Sequence, residues 1–151
     1  MTTPDAEVPW TGGCLCGEVR WRSTAPPVFQ FNCHCIDCRK STGAAMLPLM
    51  FFPAQALRID GPLVSFASRG GSGGRIRRDF CGRCGAQVTA HVDMVPALQS
   101  IRAGTLDDIS RYVPKANAFL AHAPGWMPID ASLPGFPGLP RPRDAERMPE
   151  R

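Results

Sequence analysis

Apolar and polar positions alternate along most of the chain in short bursts. From Glu18 to Thr24, Val19 and Trp21 face one way and Arg20 and Arg22 the other, the two-residue period of a half-buried strand. Val28 to Asn32 alternates again and ends as Cys33 arrives. Ala45 to Phe52 is a continuous apolar run with one proline, which suits a buried but irregular strand. Leu57 and Ile59 precede an Asp60-Gly61-Pro62 turn, and Leu63 to Ala67 resumes the strand pattern. Arg75 to Phe80, Ala86 to Val92 and Leu98 to Ala103 read the same way. No window carries a long amphipathic helix. Ile36 to Ser41 and Leu106 to Ile109 each suit one helical turn. Arg69 to Gly74 is a Gly/Ser loop. From Pro134 the run Pro-Gly-Phe-Pro-Gly-Leu-Pro-Arg-Pro-Arg cannot form a sheet ladder and reads as a draped or mobile tail.

These elements predict a mainly β fold: a single domain of several short antiparallel β-sheets with little helix. The domain runs over 10–136, between an N-terminal extension (1–9) and a Pro-rich, charged C-terminal tail (137–151). With 15 glycines and 16 prolines in 151 residues, much of the chain sits in turns, so bound metal is expected to supply stability that the core does not. The formal charge of +4 is modest and the basic residues are scattered, which argues against nucleic acid as a partner. No stretch approaches the roughly 20 apolar residues that cross a bilayer, so no membrane partner is expected. The start, Met1-Thr2-Thr3-Pro4-Asp5-Ala6-Glu7, lacks the basic and apolar regions of a signal peptide. A reducing, cytoplasmic setting follows, where clustered cysteines are metal ligands or catalytic groups more often than cross-links.

The seven cysteines divide into four and three. Phe80-Cys81-Gly82-Arg83-Cys84-Gly85 is a knuckle that wraps two sulfurs around one ion, with glycines that tolerate positive φ. Cys14-Leu15-Cys16-Gly17 is a tighter pair entering a strand, and Gly12-Gly13 allow a bend before it. Four thiolates on Cys14, Cys16, Cys81 and Cys84 would close a tetrahedral zinc site. Cys33-His34-Cys35-Ile36-Asp37-Cys38 offers three thiolates and no fourth cysteine. His34 can complete that shell, but it lies between two ligands and points elsewhere in an extended loop, so an open coordination position is favoured. Two zincs per chain are expected, one structural and one catalytic. A thiol on the open zinc would be deprotonated outright and ready to attack a carbonyl. His34 is then a candidate proton donor or acceptor. Arg39 and Lys40 are candidates for offsetting thiolate charge or holding substrate carboxylates.

The motifs Gly12-Gly13-Cys14-Leu15-Cys16-Gly17, Cys33-His34-Cys35-Ile36-Asp37-Cys38-Arg39-Lys40-Ser41-Thr42-Gly43 and Phe80-Cys81-Gly82-Arg83-Cys84-Gly85 resemble those of the glutathione-dependent formaldehyde-activating enzyme family, which also includes the domain of centromere protein V. The likeness runs from about Gly12 to Phe136. It implies a fold of coiled antiparallel sheets, the same division of the cysteines, and a carbon–sulfur lyase that joins glutathione to formaldehyde as S-hydroxymethylglutathione. One departure is visible. After Gly104-Thr105-Leu106-Asp107-Asp108 and Pro114-Lys115-Ala116, family members often carry histidine; here Asn117 stands in its place. A second reading makes both zincs structural, in a non-catalytic module that binds glutathione, protein or nucleic acid. Homo-oligomers are compatible with either.

Overall fold

A computed structural model of the chain describes residues 8–70 and 73–140. Ten strands and one α-helix lie among them: β1 (Trp10–Gly13), β2 (Arg20–Ser23), β3 (Phe29–Cys33), α1 (Ile36–Thr42), β4 (Leu47–Pro53), β5 (Leu57–Asp60), β6 (Leu63–Arg69), β7 (Arg75–Cys81), β8 (Gln87–Val92), β9 (Leu98–Arg102) and β10 (Asn117–Ala118). They form a three-stranded sheet, ordered β1-β2-β5, and a seven-stranded sheet, ordered β10-β3-β4-β9-β8-β7-β6. Every pairing is antiparallel except the two-residue match of β10 to β3. The mainly β expectation holds. Residues 1–7 and 141–151, which include most of the expected extension and tail, lie outside the described residues, as do 71 and 72 in the Gly/Ser loop.

β4 explains its own lack of alternation. Met50 and Phe52 point into one core with Trp10, Val19, Trp21, Val88 and Ile101. Leu47, Leu49 and Phe51 point into a second core with Phe31, Ala116, Ala118 and Phe136. A strand buried on both faces has no polar side to show. Cys14 and Cys81 belong to the first core, and Cys33, Cys35 and Cys38 to the second.

Three local expectations change. Gly12-Gly13 is not a bend but part of β1, with Gly12 opposite Trp21. A Cβ on Gly12 would sit 2.1 Å from the Thr105 carbonyl oxygen and 2.6 Å from the Trp21 ring, so this glycine serves close approach. The turn comes later, at Gly17 (φ 82°). In the knuckle, Gly85 takes a positive φ of 76°, whereas Gly82 lies in ordinary backbone space. The helical turn expected at Leu106–Ile109 is displaced. Short 3₁₀ turns form at Ala103–Thr105 and Ile109–Arg111, while Leu106 bridges to Gly12 and Asp107 N–H donates to the Thr11 carbonyl at 3.0 Å. Pairing with β1 supplies hydrogen bonds that an isolated helical turn would lack.

The start of the Pro-rich segment is draped, as expected. Asn117 N–H donates to the Pro134 carbonyl at 2.9 Å, Phe136 N–H to Asn117 at 2.9 Å, and Phe119 N–H to Gly138 at 3.0 Å. Phe136 is buried.

Candidate metal centres and the cavities beside them

Cys14 ends the stretch after β1, and Cys16 follows in a turn closed by Gly17 N–H to the Cys14 carbonyl at 3.1 Å. Cys81 is the last residue of β7. Cys84 sits in the next turn, closed by Gly85 N–H to the Cys81 carbonyl at 2.9 Å. The strands thus bring two pairs from opposite sheets together. Sulfur separations are 3.6 Å for Cys14–Cys16 and 3.8 Å for Cys16–Cys81, and all four sulfurs lie within 4.8 Å of one another. Zinc–sulfur bonds of about 2.3 Å at tetrahedral angles require sulfur edges of about 3.8 Å, so the donor set fits zinc. Backbone amides point at the sulfurs: Val19 N–H to Cys14 Sγ at 3.2 Å and Arg83 N–H to Cys81 Sγ at 3.4 Å. Such donors stabilise thiolate over thiol.

The second cluster forms where β3 meets α1. Cys33 ends β3. Cys35 caps the helix, its sulfur accepting from Cys38 N–H at 3.3 Å. Cys38 lies in the first turn. All three are buried and their sulfurs also lie within 4.8 Å of one another, with no histidine nitrogen in the group. The three thiols share protons. Hydrogen bonds from the thiols of Cys33 and Cys38 hold Cys35 down to about 2, while the same contacts and burial push Cys33 up.

His34, between Cys33 and Cys35 in the sequence, is buried. Its Nε2 lies 3.4 Å from Asn117 Oδ1, which also accepts from Asn32 Nδ2 at 3.2 Å. Tyr112 Oη donates to Asn32 Oδ1 at 2.8 Å. Asn117 thus anchors a polar chain running Tyr112–Asn32–Asn117–His34. His34 Nδ1 is buried with no hydrogen-bond partner among the described residues.

Of the two basic candidates, Lys40 reaches a cavity, a groove of about 690 Å³ shared with Asp37, Ser68, Arg69, Arg78 and Gln87. Arg39 is half-buried with its Nε unpartnered and does not line that groove. The sequence reading missed Arg102, a buried residue at the end of β9. Its Nη1 donates to Ser100 Oγ at 3.0 Å and its Nη2 to Gln87 Oε1 at 3.2 Å. Burial lowers its pKa to about 10, with thiolate charge on Cys38 and Cys33 acting the other way; it remains a cation at neutral pH. The only sequence signal for Arg102 was the demand for positive charge near three thiolates. That demand was assigned to Arg39 and Lys40 because they are adjacent in sequence.

The sequence model of the glutathione-dependent formaldehyde-activating enzyme family matches residues 9–122. The chain belongs to that family. A Halomonas elongata member, whose name reads "Putative glutathione-dependent formaldehyde-activating enzyme", is 29% identical over 126 residues, covering 80% of each chain. A solved structure of a Rhodobacter sphaeroides protein is 20% identical and covers 64% of this chain and 87% of its own, with a TM-score of 0.46. Among the described residues of this family member, no helix is long and apolar enough to cross a membrane.

A second cavity, of about 220 Å³, opens onto Cys33, Cys35 and Cys38. It meets the larger groove at Asp37 and Arg78, which line both. The four-cysteine cluster lines neither.

Proposed function

We propose that Cys14, Cys16, Cys81 and Cys84 hold a structural zinc, and that Cys33, Cys35 and Cys38 hold a catalytic zinc at which a glutathione-like thiol adds to an aldehyde such as formaldehyde. The product with formaldehyde is S-hydroxymethylglutathione, a carbon–sulfur lyase-type reaction. The observation that carries this reading is the unequal sulfur count: four thiols in one cluster, three in the other, with a cavity reaching only the three.

Zinc at the three-cysteine site would keep a small thiol as thiolate at neutral pH. The chain supplies the rest. Arg102 offsets the excess negative charge of the sulfurs from a buried position. Lys40, Arg69 and Arg78 face the groove in which the carboxylates of a peptide thiol would lie. The cavity over the sulfurs presents mostly apolar side chains to the place where the carbonyl carbon would lie. His34 lines neither cavity; with its Nε2–H donated to Asn117 Oδ1, its unpartnered Nδ1 is an acceptor, suited to taking up a proton from a neighbouring thiol rather than to delivering one to the new hydroxyl. Asn117 fixes the orientation of that ring by accepting at Nε2 rather than by titrating.

Metal analysis tests the reading together with adduct kinetics. Two zincs per chain, sulfur-only coordination by X-ray absorption with a fourth sulfur gained at one site on adding glutathione, and adduct formation above the spontaneous rate are expected. Two filled protein shells and no rate excess would leave a non-catalytic zinc module instead.

A further inference from the structure

The cavity over the three cysteines is lined for an apolar guest. Phe29, Phe31 and Phe51 form one wall of stacked rings, with centroids 4.6 Å apart for Phe29–Phe51 and 5.9 Å for Phe31–Phe51. Ile76, Val92 and Val95 line the same cavity. Phe119 and Leu139 also line it. Apart from the three cysteines, among the described residues on this lining only Asp37 and Arg78 carry charge, and both lie where the cavity meets the groove. A one-carbon aldehyde gains almost nothing from such walls, because the hydrophobic effect scales with the apolar area removed from water. A glutathione backbone, with two carboxylates and an ammonium, would lose hydration there without finding partners. The size is also informative. An apolar cavity of about 150 Å³ takes a benzene ring, so about 220 Å³ holds a phenyl group with a carbon or two more.

The backbone shows a conformation held against preference at this spot. Phe119 is the one non-glycine residue with positive φ among those described, at 56°, a costly setting for a bulky side chain. It is enforced by hydrogen bonds of Phe119 to Gly138, Leu120 to Phe136 and Ala121 to Pro137 at 3.0, 2.9 and 3.2 Å. The segment from 134 to 139 thereby keeps Phe119 and Leu139 on the cavity wall.

Resting on the proposed thiol addition, we infer that the physiological carbonyl substrate is an aldehyde bearing an apolar group of about benzyl size, not formaldehyde. The thiol peptide occupies the cationic groove, and the aldehyde's substituent occupies the apolar cavity. The step is RSH + R′CHO → RS–CH(OH)–R′. A carbon–sulfur bond forms, the carbonyl π bond opens, and the proton lost by the thiol ends on oxygen, with no redox partner required.

The test uses the zinc-loaded full chain with glutathione, reading exchange between free aldehyde and hemithioacetal by NMR magnetisation transfer, with the spontaneous rate subtracted. Catalysed exchange should be at least about tenfold faster for phenylacetaldehyde than for formaldehyde at equal concentration, the scale on which apolar pockets discriminate. Phe119→Asn keeps a residue that accepts positive φ and should lower that ratio about tenfold with zinc content unchanged. Separately, unreactive 2-phenylethanol should show saturation transfer from the protein and lose it in Phe119→Asn. Acceleration of formaldehyde alone, or no binding of 2-phenylethanol, overturns the inference and leaves the thiol chemistry standing. A preference for benzyl mercaptan over glutathione, with no aldehyde preference, overturns the assignment of the cavity to the aldehyde. Acceleration of neither aldehyde overturns the proposed function, and this inference with it.

Discussion

Replacing Arg102 by methionine separates the two proposed metal sites without touching a sulfur. The guanidinium links three elements. It donates to Ser100 on its own strand β9 and to Gln87 at the start of β8. The Gln87 amide in turn donates to the Ser41 carbonyl in the last turn of α1, the helix that carries Cys38. Two hydrogen bonds at about 0.5–1.5 kcal/mol each give about 1–3 kcal/mol of lost stability, within the reserve of an ordinary domain. Methionine keeps most of the apolar stem and fills the space. The larger effect falls on the metal, because the three thiolates lose a nearby buried cation. Removing a supporting residue of this kind typically costs 10–100-fold in metal affinity, or about 1.4–2.8 kcal/mol. Zinc competition against a chromophoric chelator should therefore show one site weakened by that factor and the other unchanged. An unchanged pair of affinities, or equal weakening of both, would refute Arg102 as the counter-ion of the three-cysteine cluster.

Three further outcomes are expected. Cys81→Ser should give little soluble protein, since structural zinc is worth on the order of 10 kcal/mol, whereas Cys35→Ser should fold and carry one zinc fewer; equal loss of solubility, measured by yield and metal content, would remove the distinction between the sites. Gly12→Ala forces a Cβ to 2.1 Å from a backbone oxygen and 2.6 Å from the Trp21 ring, so thermal unfolding should report a loss of about 3 kcal/mol or more; a smaller loss would mean β1 can shift. Arg20 first, and Thr11 second, hold the Asp107 carboxyl below its usual value. Its contribution is thus present above the unfolded carboxylate pKa and disappears as pH falls through the lower folded value. Because both side chains are about half exposed, at 50% and 46%, Asp107→Asn should cost no more than about 1 kcal/mol at pH 7 and nothing near pH 2, as read from urea midpoints.

The strands legible in the sequence were those whose side chains alternate or whose run is wholly apolar, such as β2 and β4. β1 was not, because Trp10-Thr11-Gly12-Gly13 offers too few apolar positions and its glycines answer to a tryptophan and a carbonyl far along the chain. β10 is two residues long and exists because β3 and the segment after Pro134 flank it. The cysteine groups were legible because their chemistry restricts spacing. What surrounds them was not. Ser100 and Arg102 occupy the polar positions of β9, which alternation assigns to solvent, yet both are buried. Phe29, Phe31 and Phe51 lie in two separate strand patterns of the sequence, and only the register of β3 on β4, with Phe29 opposite Phe51 and Phe31 opposite Leu49, turns them into one wall of a chamber.

The three-cysteine group spans six consecutive residues, whereas Cys16 and Cys81 stand 65 apart. With each doubling of loop length adding about 0.6 kcal/mol of closure entropy, the long-range cluster costs roughly 2 kcal/mol more to assemble from an unfolded chain. During synthesis, residues 33–38 leave the ribosome long before Cys81 and Cys84 do. The local trio can therefore wrap an ion in a nascent chain, while Cys14 and Cys16 must wait with thiols unpaired until the knuckle emerges. On the proposed assignment, metal supplied during translation is expected to reach the three-cysteine group before the four-cysteine group is complete.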